Sequence, residues 1–290
     1  MVYMKNKITV AAIIVTYNRL EFLKELITAL KSQTYELNEI IVVNNGSNDG
    51  TTQWLKSQNN LKIVNQENSG SSGGQFTAMK TAYDLGYDYI WTMDDDVIPS
   101  YDCLENLLKD ITPQFIHTPL RYNPDKTPFL NDVKNFNLTN PFKSLWDGVI
   151  NTEDLISEKI EVEGITFEGP LFHRKLINDI GLPEKKFFIH GDDSEFFIRA
   201  RKKGYKIFLI TNAKSYRKLN YIDPDETFSW KHYYIIRNII AIDILHGNLA
   251  VRILRPFAYL IKWLTHTRSI NQLRITLKAF IDGYFYKSEN

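Results

Sequence analysis

The stretch "YIWTMDDDVIPS", residues 89–100, decides the fold, because an apolar run passes directly into three consecutive aspartates. Carboxylates repel one another and are costly to bury unless a partner offsets their charge. An acidic cluster that follows a buried strand therefore indicates either a helix cap or a site for a positively charged ligand. The rest of the sequence decides between these two interpretations.

The first hundred residues predict alternating strands and helices. Apolar runs at 8–15, 39–43, 61–64 and 89–93 are typical of strands, and helical spacing follows at 20–30, up to Trp54, and at 76–85. This order predicts right-handed βαβ units and a parallel sheet. Such sheets bind ligands at the carboxyl ends of their strands. We therefore expect the loops "TYNR", "NNGSNDG", "NSGSSGG" and "DDD" to line one edge of the sheet.

The second half of the chain is less regular. Residues 112–159 predict one short strand, 114–117, followed by long loops and insertions. From residue 162 the sequence predicts a strand, a turn, a strand and a short helix. It then predicts a helix that two aspartates open and Gly204 closes, and "KIFLI" as a last strand. From residue 226 onward we expect helices, with a break near 246–248.

Composition limits the classes of function. The chain has 290 residues, 43% hydrophobic and 24% charged, as in a globular protein with one large core. A net charge of +1 indicates no nucleic-acid partner. The single cysteine, Cys103, excludes an intrachain disulfide and a cysteine-ligated metal, and we expect it to be a packing residue. The sequence shows neither a signal peptide nor an apolar run long enough to span a bilayer, so we expect a cytoplasmic protein.

Asp94 and Asp96 are the residues that we expect to bind a metal ion. Residues two apart in an extended chain point to the same side, so these side chains would converge while Asp95 points away. Two carboxylates on one side suit Mg²⁺ or Mn²⁺ with positions left open for phosphate. The alternative is that Asp96 or Ser100 caps the next helix, but one cap accounts for only one aspartate. The stretch contains no basic residue, so we favour a site for a metal and a diphosphate.

Two other loops offer backbone and amide groups at the same edge. "NSGSSGGQF", residues 68–76, places glycines and serines before a helix, where bare backbone and a helix N-terminus suit a phosphate. It matches neither a P-loop nor GxGxxG, and a plain flexible loop is the alternative. "TYNR" and "VVNNGSNDGT" either close strands as ordinary turns, with Asp49 capping a helix, or present amides to a base and ribose.

A second acidic site lies in "FFIHGDDSEFFIRARKKG", residues 187–204. Asp192 and Asp193 come at the predicted N-terminus of a helix, where the helix dipole stabilises negative charge. Glu195 and Arg199 have the i, i+4 spacing of a helical ion pair. A structural cap needs only one of the two aspartates. The other is available as a general base if it lies within hydrogen-bond reach of a substrate hydroxyl.

Six segments in order make a more specific pattern: "IIVTYNRLEFLKELITAL", "VVNNGSNDGT", "ENSGSSGGQFTAMKTAYDLGYDYIWTMDDDV", "FEGPLFHR", "GLPEKKFFIHGDDSEFFIRARKKGY" and "HYYIIRN". They resemble family 2 inverting glycosyltransferases with the GT-A fold, and most of all the galactofuranosyl- and rhamnosyltransferase-like branch. The resemblance covers roughly residues 8–245. It implies an α/β fold with a Rossmann-like, mostly parallel sheet flanked by helices, and a C-terminal helical extension.

The resemblance also implies how the chain is divided. The GT-A catalytic domain would cover residues 1–225, with a nucleotide-binding half to about residue 110 and an acceptor-binding half from about 111 to 225. Residues 226–290 would form the C-terminal helical region. The activity would be the transfer of a sugar from a UDP- or dTDP-sugar, such as UDP-galactofuranose or dTDP-rhamnose, to a glycan or lipid-linked glycan in cell-surface polysaccharide synthesis.

Each matching motif residue takes a role from the resemblance. Asp193 would be the catalytic base, with Asp192 positioning the acceptor. Asp94 and Asp96 would bind the divalent cation, Mn²⁺ or Mg²⁺, whose charge lets the nucleoside diphosphate leave without a proton. The donor-binding residues would be Thr16, Tyr17, Arg19, Asn44, Asn45, Gly70, Gly73, Gly74, Gln75, Asp94 and Asp95. The acceptor-binding residues would be Glu168, Gly169, His190 and Asp192.

Two positions depart from the family pattern. Asn44 stands where many relatives have aspartate, which puts the nucleotide preference in doubt. Many relatives also place a metal-binding histidine further along the chain from the base, whereas "TNAKSYRKLN", residues 211–220, contains none. We expect carboxylates, phosphate and water to hold the metal, or Lys214, Arg217 or Lys218 to supply positive charge instead.

The C-terminal region combines basic and apolar residues. Tyr233, Tyr234, Arg237 and Asn238 fall on a predicted helix that the resemblance places near the cleft, with an amphipathic packing helix as the alternative. Beyond it, residues 248–287 contain many apolar side chains and a single acid, Asp282. This pattern predicts a helix pair at the inner face of the cell membrane, with packing on the catalytic domain or a dimer interface as alternatives. The basic residues are Arg252, Arg255, Lys262, Arg268, Arg274, Lys278 and Lys287.

Two other functions stay open on the sequence alone. A nucleotidyltransferase would share the α/β fold, the metal and the nucleotide, but the basic glycine-rich signature that it needs early in the chain is absent. A non-catalytic sugar-nucleotide-binding protein is the third reading. The four aspartates of the two acidic sites argue against it.

Overall fold

The computed structural model describes residues 8–220 and 228–289. Its first part is β1 (Val10–Thr16), α1 (Leu20–Lys31), β2 (Glu39–Asn44), α2 (Thr51–Lys56), β3 (Lys62–Asn65), α3 (Gly70–Leu85) and β4 (Tyr89–Asp94). The middle adds β5 (Val97–Pro99), α4 (Cys103–Leu108), β6 (Phe115–Tyr122), β7 (Val133–Phe136), β8 (Trp146–Val149), β9 (Lys159–Val162), β10 (Leu171–His173) and α5 (Lys175–Ile180). The last part is α6 (Asp192–Lys202), β11 (Lys206–Arg217), α7 (Lys231–His246), α8 (Leu249–His266) and α9 (Ile270–Tyr284).

A nine-stranded sheet runs through the molecule in the order β3-β2-β1-β4-β10-β6-β11-β5, with β9 also paired to β11. Strands β1 to β4 are parallel, and β6 is parallel to β11. Strand β10 is antiparallel to both of its neighbours, and β5 and β9 are antiparallel to β11. The predicted α/β class, with a mostly parallel sheet between helices, is confirmed.

Strand β1 is buried on both faces of the sheet. Ala11 and Ile13 pack into one core with α3, and Val10, Ala12 and Ile14 pack into the other core with α1. A continuous apolar run is the pattern of a parallel strand that helices cover on both sides. Packing on both faces holds β1 in place, and with it the start of the loop that follows Thr16.

The parallel register brings the predicted loops together. Thr16 at the end of β1 lies opposite Asn44 at the end of β2, and Asn44 lies opposite Asn65 at the end of β3. Asp94, the last residue of β4, is paired with Val15. The expectation that these strand ends share one edge is confirmed.

The helix after β3 begins earlier than the sequence predicted. Residues 70–75 were expected to form a loop, but α3 starts at Gly70. Glycine has a low helix propensity, yet the packing of this helix requires glycine. A Cβ atom on Gly74 would lie 2.3 Å from Cγ1 of Val15. The prediction of a glycine-rich loop was therefore wrong, because close approach to β1 outweighs propensity.

The middle of the chain contains more structure than predicted. Strand β6 extends to Tyr122, and β7 and β8 form a separate two-stranded antiparallel sheet. The last predicted strand, "KIFLI", extends as β11 to Arg217 because it pairs with β6 and, through residues 215–217, with β5. Pro119 lies within β6 and Asn135 within β7, so residues that usually indicate loops are here part of strands.

The C-terminal helices form a layer of their own. Helix α7 packs against α8 and α9, and the predicted break falls at Gly247 and Asn248, where the Asn248 side chain caps α8. No helix among residues 8–220 and 228–289 is long and apolar enough to cross a membrane. The predicted domain boundary at 225/226 and the predicted start of the helical region lie outside the described residues. The division into two domains stays a prediction.

Candidate active site

We call the edge where β1, β2, β3 and β4 end the donor edge, after its predicted role. This edge is organised around Arg19, which follows β1. Its guanidinium donates to Asp95 Oδ1 at 3.0 Å and to Asp96 Oδ2 at 2.8 Å. The Thr16 hydroxyl donates to Asp95 Oδ2 at 2.8 Å. The prediction that Asp95 points away from its neighbours was wrong, because the chain turns at residues 95–96 and the strand alternation stops at Asp94. The aspartates also have a basic partner, which comes from another loop.

Asp94 is in a different position from the other two. No described residue forms a hydrogen bond or an ion pair with its carboxylate, whereas Glu168, Asp96 and Asp95 all act on it electrostatically. Burial, reinforced by the Glu168 charge, raises the pKa of Asp94 well above its ordinary value. Burial also raises the pKa of Asp95 to about 6, although Arg19 and Thr16 oppose the shift.

Asp94 and Asp96 fit a divalent cation by their chemistry. Arg19 offsets part of the Asp94 charge without a direct bond to it, and burial and three other carboxylates outweigh that effect. Hard carboxylate oxygens are the ligands that Mg²⁺ and Mn²⁺ prefer. Residues 8–220 and 228–289 contain no group of three or more His, Cys, Asp or Glu side chains arranged for a metal. The protein would therefore supply two carboxylates, and phosphate or water the remaining ligands. The metal role of both residues stays a prediction.

Asn44 and Asn45 connect the loops at this edge. The Asn44 amide donates to Thr52 and Asn65. The Asn45 amide donates to the Gly70 carbonyl at 3.0 Å, and its oxygen accepts from Gln66 at 2.8 Å. Both side chains are buried, so they support the donor loops through hydrogen bonds in the interior. Their predicted contact with the nucleotide is not tested by this geometry.

The side chain of Tyr17 is the most accessible of the predicted nucleotide contacts. It is 46% exposed, and the two residues that follow it, Asn18 and Arg19, line a cavity of about 310 Å³ together with Asp49. A half-exposed aromatic ring suits the face of a base. This placement supports the donor role that the resemblance implies for Tyr17.

The start of α3 meets the loop that precedes the second acidic site. The Ser72 amide donates to the Phe188 carbonyl at 3.1 Å, and a Cβ atom on Gly70 would lie 2.1 Å from that same oxygen. A Cβ on Gly73 would in turn meet the Ser69 hydroxyl at 2.3 Å. The buried Gln75 leaves Oε1 without a partner among the described residues. Because Gly70 has no Cβ atom, the start of α3 packs directly against the loop that precedes the second acidic site.

Asp192 and Asp193 begin α6, as predicted. Burial raises the pKa of Asp192 to about 6, although backbone N–H groups and Ser72 oppose the shift. Burial raises the pKa of Asp193 further, to about 7, and the adjacent Asp192 and Glu168 charges add to the effect. The two carboxyls titrate as a pair. A carboxylate with a pKa near 7 is suited to general-base catalysis at neutral pH.

Helix α7 fixes the turn before α6. The Asn238 side chain donates to the carbonyls of Phe187, Ile189 and His190 at 3.0, 2.9 and 2.6 Å, and Arg237 donates to the Phe187 carbonyl at 3.1 Å. His190 and the following glycine have φ angles of 65° and 80°, so the turn is left-handed and needs this support. The predicted helix thus packs against the turn that precedes Asp192 and Asp193, and its closeness to an active cleft stays a prediction.

Glu168 and Gly169 lie between the two acidic sites. The Glu168 carboxylate accepts from Arg121 at 3.0 Å and from Arg217 at 3.2 Å. Gly169 has a φ of 108° and its carbonyl accepts from Trp91 Nε1 at 2.8 Å. Glu168 acts on both Asp94 and Asp193, so it links the two sites electrostatically. Its predicted role at the acceptor is not tested by these contacts.

The segment that lacks the histidine supplies one cation to this cluster. Arg217 donates to Glu168 and stacks on Phe129 at 4.3 Å. The backbone N–H of Lys218 donates to the Asp96 carbonyl at 2.8 Å, but its ammonium group pairs with Glu25 at 2.7 Å. Lys214 is exposed on β11. Of the three predicted sources of positive charge, Arg217 is the one that pairs with the carboxylate cluster.

A cavity of about 450 Å³ lies beside Asp193. Its wall comes from the β7–β8 sheet, the start of α6, and the helices α7 and α8. His190 borders it, and burial lowers the pKa of His190 to about 4, so the imidazole is neutral. We call this space the acceptor cavity, after the role that we propose for it. The C-terminal helices therefore take part in the cleft.

Sequence reasoning missed two residues of this cluster, Arg121 and Asp132. Arg121 is fully buried and bonds to Asp132, Glu168 and the Thr166 hydroxyl. Burial raises the pKa of Asp132, against the effect of Arg121. Both residues lie in the segment that the sequence predicted as mostly loops. The one signal in the sequence that could have indicated this cluster is an arginine within the apolar strand β6.

Comparisons with known proteins agree with this geometry. The sequence profile described as "Glycosyl transferase family 2" matches residues 11–181. The chain is 26% identical over 202 residues to galactofuranosyltransferase GlfT1 of Mycolicibacterium smegmatis, which covers 67% of this chain and 66% of that protein. It is 26% identical over 176 residues to the poly-beta-1,6-N-acetyl-D-glucosamine synthase of Staphylococcus aureus, which covers 57% of this chain and 39% of that protein. In both cases the chain spans less than two thirds of the relative's length.

Solved structures share the fold. GalNAc-T7 with UDP, GalNAc and Mn²⁺ superposes with a TM-score of 0.66 at 12% identity, over 97% of this chain and 55% of that chain. Residues 1–349 of S. aureus TarS in complex with UDP-GlcNAc superpose with a TM-score of 0.60 at 18% identity, over 96% of this chain and 82% of that chain. At these identities the likeness concerns the fold alone.

Proposed function

The chain belongs to glycosyl transferase family 2 and is a glycosyltransferase, and we propose that it inverts the anomeric centre in a single displacement. One observation carries the proposal. Asp193, whose pKa burial raises to about 7, borders a cavity beside the carboxyl edge of the sheet. A base in that position can take the proton of an acceptor hydroxyl.

The chemistry divides between the two acidic sites. Asp193 accepts the proton from the acceptor hydroxyl, whose oxygen forms the new bond to the anomeric carbon from the side opposite the leaving group. The bond from that carbon to the diphosphate oxygen breaks, and the electron pair leaves with the nucleoside diphosphate. Arg19 lies where its guanidinium can contact the diphosphate, because it already bonds to Asp95 and Asp96 at this edge.

The divalent cation has a defined place in this proposal. Asp94 and Asp96 would bind Mn²⁺ or Mg²⁺, and the bound cation would neutralise the charge of the leaving diphosphate. Glu168, which Arg121 and Arg217 fix, adds negative charge next to Asp94 and favours cation binding.

For the donor we propose a UDP- or dTDP-sugar, and for the acceptor a glycan or lipid-linked glycan in cell-surface polysaccharide synthesis. The names and ligands of the compared proteins support this range, which includes UDP-galactofuranose and dTDP-rhamnose. The engaged amide of Asn44 leaves the half-exposed Tyr17 as the main nucleotide contact.

Nucleotide binding and transfer test the proposal separately. We expect UDP or dTDP to raise the melting temperature more with Mn²⁺ than with EDTA, because Asp94 and Asp96 then bind the phosphates through the cation. Asp96→Asn should remove most of that Mn²⁺ dependence, and Asp84→Asn on the exposed surface of α3 should not. Transfer from a panel of UDP-, dTDP- and GDP-sugars, with the anomeric configuration of the product determined by NMR, tests the rest. A product of retained configuration, or activity undiminished in EDTA, would contradict it.

We also propose that α8 and α9 bind an anionic membrane surface, at the inner face of the cell membrane that the sequence predicts. Each helix leaves an apolar stripe exposed, and the exposed basic residues Arg252, Arg268 and Arg274 accompany the stripes. The stripe on α8 is Leu249, Ile253, Leu254, Phe257 and Ile261, and the stripe on α9 is Ile270, Leu273, Leu277, Ile281 and Phe285.

Arg255 does not belong to that surface. The sequence grouped it with the membrane-facing cations, but it is 2% exposed and donates to Asp243 Oδ2 at 2.8 Å and to the Asn137 carbonyl at 2.7 Å. Together with the buried Trp263 it attaches α8 to the rest of the protein. The inner side of α8 thus fits the packing alternative, and only its outer side is proposed to meet lipid.

A further inference from the structure

We propose that the acceptor cavity binds a sugar residue of the acceptor and that Asp132 binds one of its hydroxyl groups. This inference rests on the proposed function and adds a recognition residue to it. The ligand class is a hydroxyl-bearing sugar ring, bound with its polar edge toward Asp132 and Asp193 and its carbon face toward α7.

Asp132 has the environment of a binding residue. It is 2% exposed, borders the acceptor cavity, and is held through Oδ1 by the guanidinium of Arg121. Its second oxygen, Oδ2, has no hydrogen-bond partner among the described residues. Buried polar atoms are almost always hydrogen-bonded in folded proteins, so an orphaned oxygen in a cavity wall indicates a missing partner.

The position of Asp132 is fixed independently of any ligand. Arg121 has 0% side-chain exposure and stacks on Phe129 at 4.8 Å while it bonds to both Asp132 and Glu168. A guanidinium held on several sides presents its partner carboxylate in a single orientation. Asp132 is therefore preorganised, which lowers the cost of ordering on binding.

The rest of the cavity matches the two-sided chemistry of a sugar. His190 and Asp193 also border it, and His190 Nε2 is a second atom without a hydrogen-bond partner among the described residues. The lining also includes apolar side chains of α7 and α8, among them Ile235, Ile239 and Trp263. A volume of about 450 Å³ falls within the range of about 300–1,000 Å³ that is usual for ligand pockets.

A hydrocarbon chain fits this cavity less well than a sugar. It would pack on the apolar wall but would leave Asp132 Oδ2 and His190 Nε2 buried without partners, which is unfavourable. Hydroxyl groups satisfy both atoms. The exposed apolar stripes of α8 and α9 lie on the outer side of these helices, so they do not change the preference of the cavity for a sugar over a hydrocarbon chain.

Tryptophan fluorescence offers a direct test, because Trp146 and Trp263 both border the cavity. The purified full-length protein is titrated with a panel of methyl glycosides, including galactofuranoside, galactopyranoside, glucoside, rhamnoside and N-acetylglucosaminide, and with 1-octanol. We expect at least one methyl glycoside to change the fluorescence saturably. Asp132→Asn should weaken that binding by about 10- to 100-fold, as for other hydrogen bonds to a charged group. The matched control, Asp147→Asn on exposed β8, should bind like the wild type.

Deoxy glycosides give a second measurement that does not depend on the folding of a variant. In the wild type, one deoxy analogue of the bound glycoside should bind about tenfold more weakly than the glycoside itself, or worse. In Asp132→Asn, removal of the same hydroxyl group should weaken binding little further, because the Asp132 carboxylate that it contacts is already gone. The proposal is overturned if no methyl glycoside binds, if 1-octanol binds and the glycosides do not, or if Asp132→Asn binds like the wild type. Stabilisation by UDP with Mn²⁺ is recorded in parallel, so that loss of the donor site is distinguished from an error about the acceptor cavity.

Discussion

At the scale of single residues, the decisive feature is the environment of two adjacent aspartates. The sequence predicted that Asp192 and Asp193 open a helix that Gly204 closes. It could not predict how far their pKa values are raised. For Asp193, burial and the adjacent Asp192 charge are reinforced by Glu168, which approaches from a distant part of the chain.

Asp193→Asn should lower kcat by about 10²- to 10⁴-fold, the usual contribution of a general base. Its effect on stability should have the opposite sign. The pKa of Asp193 is raised from its ordinary value of 3.8 to about 7, so the stability that its protonated form contributes is fully present below the ordinary value and is lost as the pH rises from there to about 7. Asparagine has no such loss, so the variant should melt higher than the wild type at pH 8 and gain less at pH 5. A uniform fall in melting temperature at both pH values would contradict this account.

The pH profile of the reaction tests the coupling between the two carboxyls. Because Asp193 must be ionised to accept a proton, kcat/KM should rise with pH through about 7. Asp192→Asn removes a like charge, which lowers the pKa of Asp193 and should move this rise to lower pH. The measurement is kcat/KM at saturating donor from pH 5 to 9, with Asp179→Asn as a control outside the cleft. A rise at unchanged pH in Asp192→Asn would show that Asp192 does not act on the base.

At the scale of the element, α3 shows how tertiary contact overrides propensity. Its first turns are rich in glycine and serine, a composition that predicts a loop. The helix forms there because Gly74 allows contact with Val15, and Gly70 allows the Phe188 carbonyl to approach. Helix propensities and capping patterns depend on neighbouring residues and do not include these long-range contacts. The start of this helix was therefore not predictable from the sequence alone.

Gly74→Ala should destabilise the protein by about 1–3 kcal/mol, the usual cost of inserting a methyl group into a packed interface. The added Cβ would lie 2.3 Å from Val15 Cγ1. A second substitution, Val15→Ala, makes room for it, so the double variant should lose less than the sum of the two single ones. Urea denaturation measures the three values, and Ser71→Ala on the exposed side of α3 is the control. Simple additivity of the two losses would exclude the contact as the cause.

At the scale of the whole molecule, the sequence predicted one half of the sheet far better than the other. Strands β1 to β4 are locally encoded, because each is an apolar run bounded by turn residues and joined by a helix. Strands β5, β9 and the end of β11 exist through pairing with distant partners, such as Ser215 with Pro99. For the same reason the donor edge was predicted, whereas the cluster of Arg121 and Asp132 was not.

The outward stripes of α8 and α9 lead to a prediction about the intact protein. The wild type should float with vesicles that contain anionic lipid, and less so at high salt. Ile261→Ser combined with Ile281→Ser should reduce binding by about tenfold or more, because both side chains are more than half exposed and would otherwise be buried in lipid. Phe142→Ser, which removes an 87% exposed ring elsewhere, should have no effect. A wild type that stays unbound, or that forms a dimer through these helices in sedimentation experiments, would contradict the membrane proposal.

The clamp that Asn238 places on the turn before α6 has a consequence for the order in which the protein is made. Synthesis proceeds from the N-terminus, so the donor edge and β11 leave the ribosome before α7 does. Until α7 folds back, the carbonyls of Phe187, Ile189 and His190 lack their common donor. We therefore expect this turn, and Asp193 after it, to take its final conformation only after α7 has been synthesised and has folded.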